Sequence, residues 1–210
     1  MKIGVIGSGH VGQTLAAGLK NLGHEVRIGS REGNRLAEFS ASSGVPEGRF
    51  ADVARDAEVV IVALKGEVAE SVVRSLAGAL AGKPVLDTTN PIGGAPQGGI
   101  IPYFTGANES LLERLQAAAP EAKLVKFFNS VGAGLMVQPK LPGGTPSMFI
   151  CGNDADAKSV AAKLASELGW NVEDVGTAVA GHALEALCQI WCAPGFLRND
   201  WAHAFAVLRP

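Results

Sequence analysis

The sequence predicts an α/β protein: a doubly wound, mainly parallel sheet carrying a C-terminal α/β and helical extension. Three observations predict it. Short β-branched runs alternate with helical periodicities through the first half of the chain. One run, Glu58 to Leu64, is almost unbroken apolar, as a parallel strand covered on both faces must be. Three glycines, Gly7, Gly9 and Gly12, separate the first such run from the first helical pattern. Right-handed βαβ crossovers then place helices on both sides of the sheet.

Taken in order, Lys2 to Ile6 reads as the first strand. Val11, Leu15, Leu19 and Leu22 recur at helical spacing, and Gly23 stands at the C-cap. Glu25 to Ile28 reads as the second strand, followed by a helix over residues 34–42. Arg49-Phe50 is a short third strand before a helix over residues 52–56. After the fourth strand, Glu58 to Leu64, the spacing of Val68, Val72, Leu76 and Leu80 predicts one helix. Pro84 to Thr88 is the fifth strand. A Gly- and Pro-rich loop follows from Asn90 to Thr105, of a length usually reserved for function. Asn108 is expected to cap a helix through Ala118, with Glu109 at its positive end.

Lys123 to Phe128 reads as the sixth strand, with Lys126 expected to snorkel its charge to the edge. Ser147 to Cys151 and Trp170 to Val175 read as strands flanking a helix that begins at Asp154 and closes at Gly169. Residues 178–210 are expected to be helical and apolar, broken near Pro194-Gly195.

Composition narrows the function. At 210 residues, 47% hydrophobic and 18% charged, the chain can bury a core without disulfides or metal. A net charge of −2 offers no basic field to nucleic acid, and no polybasic segment faces a membrane. No apolar run reaches spanning length, and the N-terminus lacks a signal-type apolar segment. Three cysteines, Cys151, Cys188 and Cys192, fit a reducing compartment. The expectation is a soluble, cytoplasmic protein.

Gly7-Ser8-Gly9-His10-Val11-Gly12 is a G-x-G-x-x-G motif in its required context, after a strand and opening a helix. Gly7 permits the tight turn, Gly9 leaves room for a pyrophosphate, and Gly12 lets helix and strand pack closely. Amides at the helix start and the helix dipole attract the phosphates. His10 reads as a backbone contributor or a solvated helix residue. The motif marks a Rossmann dinucleotide fold.

NAD enzymes place Asp or Glu at the end of the second strand to hold the ribose 2′-hydroxyl. Here that end reads Ile28-Gly29-Ser30-Arg31. A serine hydroxyl and a guanidinium suit a 2′-phosphate instead, and Arg35, one helical turn on, can face the same anion. Glu32 is the opposing observation, and a solvated helix face is the alternative for both arginines. The expected cofactor is NADP.

With these residues in place, the chain resembles the NADPH-dependent reductases of the deazaflavin coenzyme F420, a domain type also found in the cytosolic part of membrane ferric reductases. The resemblance rests on the glycine motif, on Gly23-His24-Glu25-Val26 leading to Gly29-Ser30-Arg31, and on Asp87-Thr88-Thr89-Asn90-Pro91. It also rests on Val125-Lys126-Phe127-Phe128-Asn129 and on Met148 to Asp154. It implies that Ser8, Gly9, His10 and Val11 hold the pyrophosphate, and Ser30, Arg31 and Arg35 the 2′-phosphate. It implies that Leu64 and Lys65 lie beside the cofactor ribose, and Asn90 and Asn129 to Ala133 near the nicotinamide. Lys65 also reads simply as a solvent-facing loop lysine. The implied division is an NADP-binding Rossmann domain, residues 1–130, and an extension, residues 131–210, packed on it and forming part of the acceptor site or a dimer interface. A homodimer is the implied assembly.

Hydride transfer to a deazaflavin or flavin needs two flat rings held at about 3–3.5 Å and no catalytic acid. No catalytic residue is expected. The tyrosine Tyr103 lacks a lysine four residues on, which lowers a carbonyl or imine reductase. An NADPH-binding regulatory module is the remaining alternative. Cys188 and Cys192, one helical turn apart, read as packing rather than a metal site. Trp191 and Trp201 could roof an acceptor site or lie in core or interface.

Overall fold

A computed structural model describes all 210 residues. Eight strands form one sheet in the order β3-β2-β1-β4-β5-β6-β7-β8. They are β1 (Lys2–Ile6), β2 (Glu25–Ser30), β3 (Glu47–Arg49), β4 (Val59–Val62), β5 (Pro84–Asp87), β6 (Lys123–Lys126), β7 (Ser147–Gly152) and β8 (Asn171–Asp174). Every pairing is parallel except β6 with β7. The connection from β6 to β7 contains one 3-10 turn, Ala133–Leu135, and no crossover helix, so the chain returns in the opposite sense.

Helices α1 (His10–Asn21), α2 (Ala37–Ser43), α3 (Phe50–Asp56), α4 (Gly66–Ser75), α5 (Ala77–Leu80), α6 (Leu111–Ala118), α7 (Ala155–Glu167) and α8 (Gly181–Arg198) complete the fold. Strand side chains alternate between two cores. Val59 and Ile61 face one with Leu15 and Leu19 of α1 and Leu164 of α7. Val60 and Val62 face the other with Val53 of α3, Val73 of α4 and Leu115 of α6. This is why β4 is buried at every position, and why no polar residue interrupts it. No helix is long and apolar enough to cross a membrane.

Several boundaries differ from expectation, each for a local reason. β2 continues to Ser30 because Gly29 and Ser30 still pair with Gly48 and Arg49, which also starts β3 at Glu47 and leaves Phe50 to open α3. α2 begins at Ala37, since Arg35 and Leu36 give their amides to a glutamate side chain and not to a helix. The helix expected through Leu80 breaks at Leu76, between α4 and α5. α6 is capped by Ser110, not Asn108: the Ser110 hydroxyl accepts from the Glu113 amide, and the Glu113 carboxylate accepts from the Ser110 amide. Glu109 instead grips Arg114 with both carboxylate oxygens. α8 runs straight through Pro194 and stops at Asn199, which takes a left-handed φ of 57°. Residues 200–210 are not helical; they lie along the start of β7, where Ser147 N–H donates to the Phe205 carbonyl and Val207 N–H to Ser147 Oγ.

Lys126 does not snorkel. β6 ends two residues earlier than its apolar pattern suggests, and Lys126 is fully buried at that end. Its ammonium lies 2.6 Å from Asp87 Oδ2 and 2.7 Å from Glu185 Oε1, and donates to the Thr89 carbonyl at 3.0 Å. Burial alone would push its pKa down; the two carboxylates outweigh burial and raise it. Lys126→Met leaves two buried carboxylates without a cation and is expected to cost about 3–5 kcal/mol in denaturant unfolding. A loss below about 1 kcal/mol would mean that the carboxylates do not need the ammonium.

Candidate dinucleotide site

The winding of the sheet reverses between β1 and β4, and both strands point their carboxyl ends at one crevice. Gly7 leaves β1 at a φ of +138°, a conformation that side-chain-bearing residues rarely adopt. A Cβ there would also collide with the Ala63 carbonyl beyond β4. A Cβ on Gly12 would collide with the Gly7 carbonyl, so Gly12 is needed for helix–turn packing. A Cβ on Gly9 would meet nothing within 4 Å. The protein's own packing therefore does not require glycine at position 9; the open space beside it is what a backbone-hugging ligand needs.

Gly9 is the N-cap of α1 and offers no side-chain cap, and the first turn carries no acidic residue. Its leading amides and dipole are left for an anion. Gln13 pins the turn by donating from Nε2 to the Ser8 carbonyl at 2.8 Å.

A cleft of about 400 Å³ opens over this turn. Its walls include Gly7, Ser8 and Gly9, the side chains of Arg31 and Arg35, Phe50 from the start of α3, and Leu64 and Lys65 beyond β4. No carboxylate lines it. Arg31, Arg35 and Lys65 take part in none of the structure's ion pairs. Glu32, the residue that argued against a phosphate here, is exposed and does not line the cleft. A second cleft of about 490 Å³ shares Leu64 and Lys65 with the first and continues over Thr88, Thr89, Asn90 and Ile92. The two form one trough across the ends of β1, β4 and β5.

The floor of the second cleft is built by side chains from distant elements. Asn90 Nδ2 donates to the Asn129 carbonyl at 2.8 Å, and Asn129 Nδ2 donates to Asn90 Oδ1 and to the Leu184 carbonyl of α8. Phe128, with a φ of 48°, turns the chain toward that clasp and is held edge-on against Phe127 and Trp170. Such a conformation costs on the order of 1–3 kcal/mol and persists only where packing enforces it. Two buried atoms here have no partner, Thr89 Oγ1 and Asn129 Oδ1. Thr89 lines the cleft, with its hydroxyl buried beneath the cleft surface.

The expected site residues do not all meet. Gly7, Ser8, Gly9, Arg31, Arg35, Leu64, Lys65 and Asn90 line the trough. His10 is exposed on the first turn of α1; Val11 is half-buried behind it, and Gly12 is buried beneath the turn. Asn129 lies behind Asn90, and Ala133 sits on the 3-10 turn against the α1-side core. The Ser30 side chain is turned inward and fully buried: its hydroxyl donates to Glu47 at 2.5 Å and accepts from Gly33 N–H at 2.9 Å. It shapes the turn from inside, where a phosphate would not reach.

Sequence reading missed Phe50, Thr89, Glu47 and Glu185. Phe50 and Thr89 follow strands whose ends line the crevice, a signal that was present. Glu185 lies on α8, far from the sheet in sequence, and gave none.

Tyr103 lines a different cavity, and its hydroxyl donates to the Glu185 carbonyl at 2.7 Å. Burial and the neighbouring Cys188 push that phenol above its ordinary pKa. Cys188 and Cys192 pack with their sulfurs 3.9 Å apart, and no group of His, Cys, Asp or Glu converges as a metal site. Trp191 is buried, donating to the His203 carbonyl, while Trp201 is partly exposed beside Phe196. Neither tryptophan lines the trough.

A glycine turn feeding a helix N-terminus at the switch point of a doubly wound sheet defines a dinucleotide-binding protein of the Rossmann class. Comparison with known proteins narrows the class. Residues 2–91 match the family described as NADP oxidoreductase, coenzyme F420-dependent. A crystal structure from Arthrobacter sp. FB24, provisionally named an F420-dependent NADP-reductase, covers 100% of both chains at 36% identity and a TM-score of 0.92. The F420-dependent NADP reductase of Methanocaldococcus jannaschii is 28% identical over 205 residues, 89% of each chain. Metalloreductase STEAP3 of Rattus norvegicus is 30% identical over 188 residues, 89% of this chain; the chain spans 36% of that protein's length. The chain belongs to the coenzyme F420-dependent NADP oxidoreductase family, and so stands among NADP-dependent oxidoreductases.

The roles of two glycines are separable. Gly9→Ala is expected to leave stability within about 0.5 kcal/mol, because the added methyl enters open space. Gly12→Ala is expected to cost about 1–3 kcal/mol, because it presses on the Gly7 carbonyl. Thermal unfolding of both variants without ligand checks the pair; equal losses would contradict the geometry.

Proposed function

We propose that the chain binds NADPH along the trough and passes its hydride to a deazaflavin of the F420 type or a flavin-like acceptor. The observation that carries this reading is the set of three cations without carboxylate partners, Arg31, Arg35 and Lys65, beside the open turn at Gly9. The reduced nicotinamide, when bound, supplies a hydride to an electron-poor ring.

The chain's own residues bind, orient and exclude. The amides of Ser8 to Val11 take the pyrophosphate at the start of α1. Arg31 and Arg35 take the 2′-phosphate as forked, planar donors. Leu64 and Lys65 lie where ribose and rings meet. Asn90, backed by Asn129 and the turn at Ala133, floors the nicotinamide end. Leu64 and Ile92 keep that end partly apolar.

Lys65 and Glu67 are the charged side chains along the second cleft. The acceptor in this reading needs no proton relay. The F420-dependent relatives support a deazaflavin; the metalloreductase relative supports testing ferric iron as well. In this reading residues 131–210 are an extension on the NADP-binding part, residues 1–130, with α8 bracing the acceptor end. The exposed α8 residues Ile190, Phe196 and Leu197 are the face a homodimer would cover.

Arg31→Ala is expected to weaken NADPH binding by roughly 1.5–3 kcal/mol and to leave NADH binding unchanged. Equal affinity of the unsubstituted protein for the two nucleotides would overturn the NADP assignment. Acceptor identity is read from steady-state loss of reduced-nicotinamide absorbance with deazaflavin, flavins and ferric chelates in parallel. Turnover with deazaflavin or flavin is expected. Turnover with ferric chelates alone would make the protein a metal reductase, and binding without oxidation would make it a sensor.

A further inference from the structure

The loop that carries the two arginines has no regular structure of its own. Residues 31–36 lie between β2 and α2, and Arg31, Glu32 and Arg35 are all exposed. Long cations on a loose loop bind a phosphate weakly, because binding must then order both loop and side chains. The loop is not loose, and one side chain accounts for that.

Glu47, the first residue of β3, pairs with Ile28 of β2 directly beneath the loop. Its Oε1 accepts from the Ser30 hydroxyl at 2.5 Å and from the Arg35 amide at 2.8 Å. Its Oε2 accepts from the Leu36 amide at 2.9 Å. The Ser30 hydroxyl in turn accepts from the Gly33 amide, so one carboxylate ties the beginning, middle and end of the loop.

We propose that Glu47 is a specificity-determining positioning residue: its carboxylate folds the Ser30–Leu36 loop so that Arg31 and Arg35 both face the adenosine 2′-phosphate. The inference rests on the NADPH reading above and deepens it. Glu47 does not line the cleft, and three donors occupy its oxygens. Its negative charge therefore organises the cations without facing the anion they receive. Burial would raise its pKa, yet the Ser30 hydroxyl and the Leu36 and Arg35 amides outweigh burial and lower it, so the carboxylate stays ionised across the neutral range. Arg35 belongs to this arrangement twice, giving its amide to Glu47 and lining the cleft.

The test is a comparison of two probes that differ by one phosphate, adenosine 2′,5′-bisphosphate and AMP, titrated calorimetrically into the intact protein and its Glu47→Ala and Glu47→Gln variants. Glu47→Ala is expected to raise the Kd for the bisphosphate at least tenfold and to shift that for AMP less than twofold. Glu47→Gln keeps one acceptor oxygen, is expected to lie between, and carries the test if Glu47→Ala does not fold. Equal weakening of both probes would reduce Glu47 to a general structural role and overturn the proposal, as would no change in either. If the unsubstituted protein bound the bisphosphate no better than AMP, the NADPH reading itself would fail, and this proposal with it.

Discussion

A single buried ammonium holds the carboxyl end of the sheet together. Lys126 at the end of β6 meets Asp87 at the end of β5 and Glu185 of α8, all three buried. One cation between two carboxylates leaves a negative charge, and the fold disposes of it with amides. Glu185 accepts from the Leu111 and Leu112 amides at the positive end of α6, and Asp87 accepts from the Thr89 amide. Buried ions survive only with such complete pairing. The consequence reaches the site, because Thr89 is bonded through both its amide and its carbonyl to this cluster and cannot shift without breaking it. α8 is locked at the same place, with Asn129 and Tyr103 bonded to the Leu184 and Glu185 carbonyls.

The charge pattern around the trough is complementary to that cluster. Three negative groups near the site are spent inward, Asp87 and Glu185 on Lys126 and Glu47 on the arginine loop, while Glu67 lines the second cleft. Positive groups without partners face the cleft. Exposed cations cost little while water solvates them, so the protein can keep three of them together. The helix N-terminus at Gly9 carries neither a side-chain cap nor an acidic residue in its first turn; α2, α3, α4, α5 and α8 also lack side-chain caps, while α6 and α7 are capped by Ser110 and Asp154. A capped terminus has given leading amides to the protein; an uncapped one retains them.

Much of this was legible along the chain. Period and composition placed the apolar strands close to their observed positions, since a β-branched run buried on both faces admits few other structures; the third strand, expected at Arg49-Phe50, shares only Arg49 with β3. The glycine turn was legible too, because a tight turn and close helix packing demand glycine at short spacing, and Arg31 and Arg35, expected to act together, line one cleft. Local alternatives were harder to separate. Asn108 and Ser110 are both plausible caps, and the choice fell to the residue whose partner, Glu113, sits three positions on. Pro194 signalled a break, yet α8 continues through it, anchored ahead of it by Leu184, Cys188, Trp191 and Cys192 in the two cores. Lys126 looked like a surface lysine because its strand is short; nothing adjacent to it announces Asp87 or Glu185.

Residue order alone was enough to specify the sheet's class, the glycine turn into α1 and the cations that follow β2, because each rests on backbone geometry or charge within a few neighbouring residues. The inward turn of Ser30, the loop-binding role of Glu47, the Asn90–Asn129 clasp and the burial of Lys126 came from the folded chain. Each joins residues from different elements, and such meetings depend on strand order, crossover path and which side chain packing turns inward, none of which is written in local spacing.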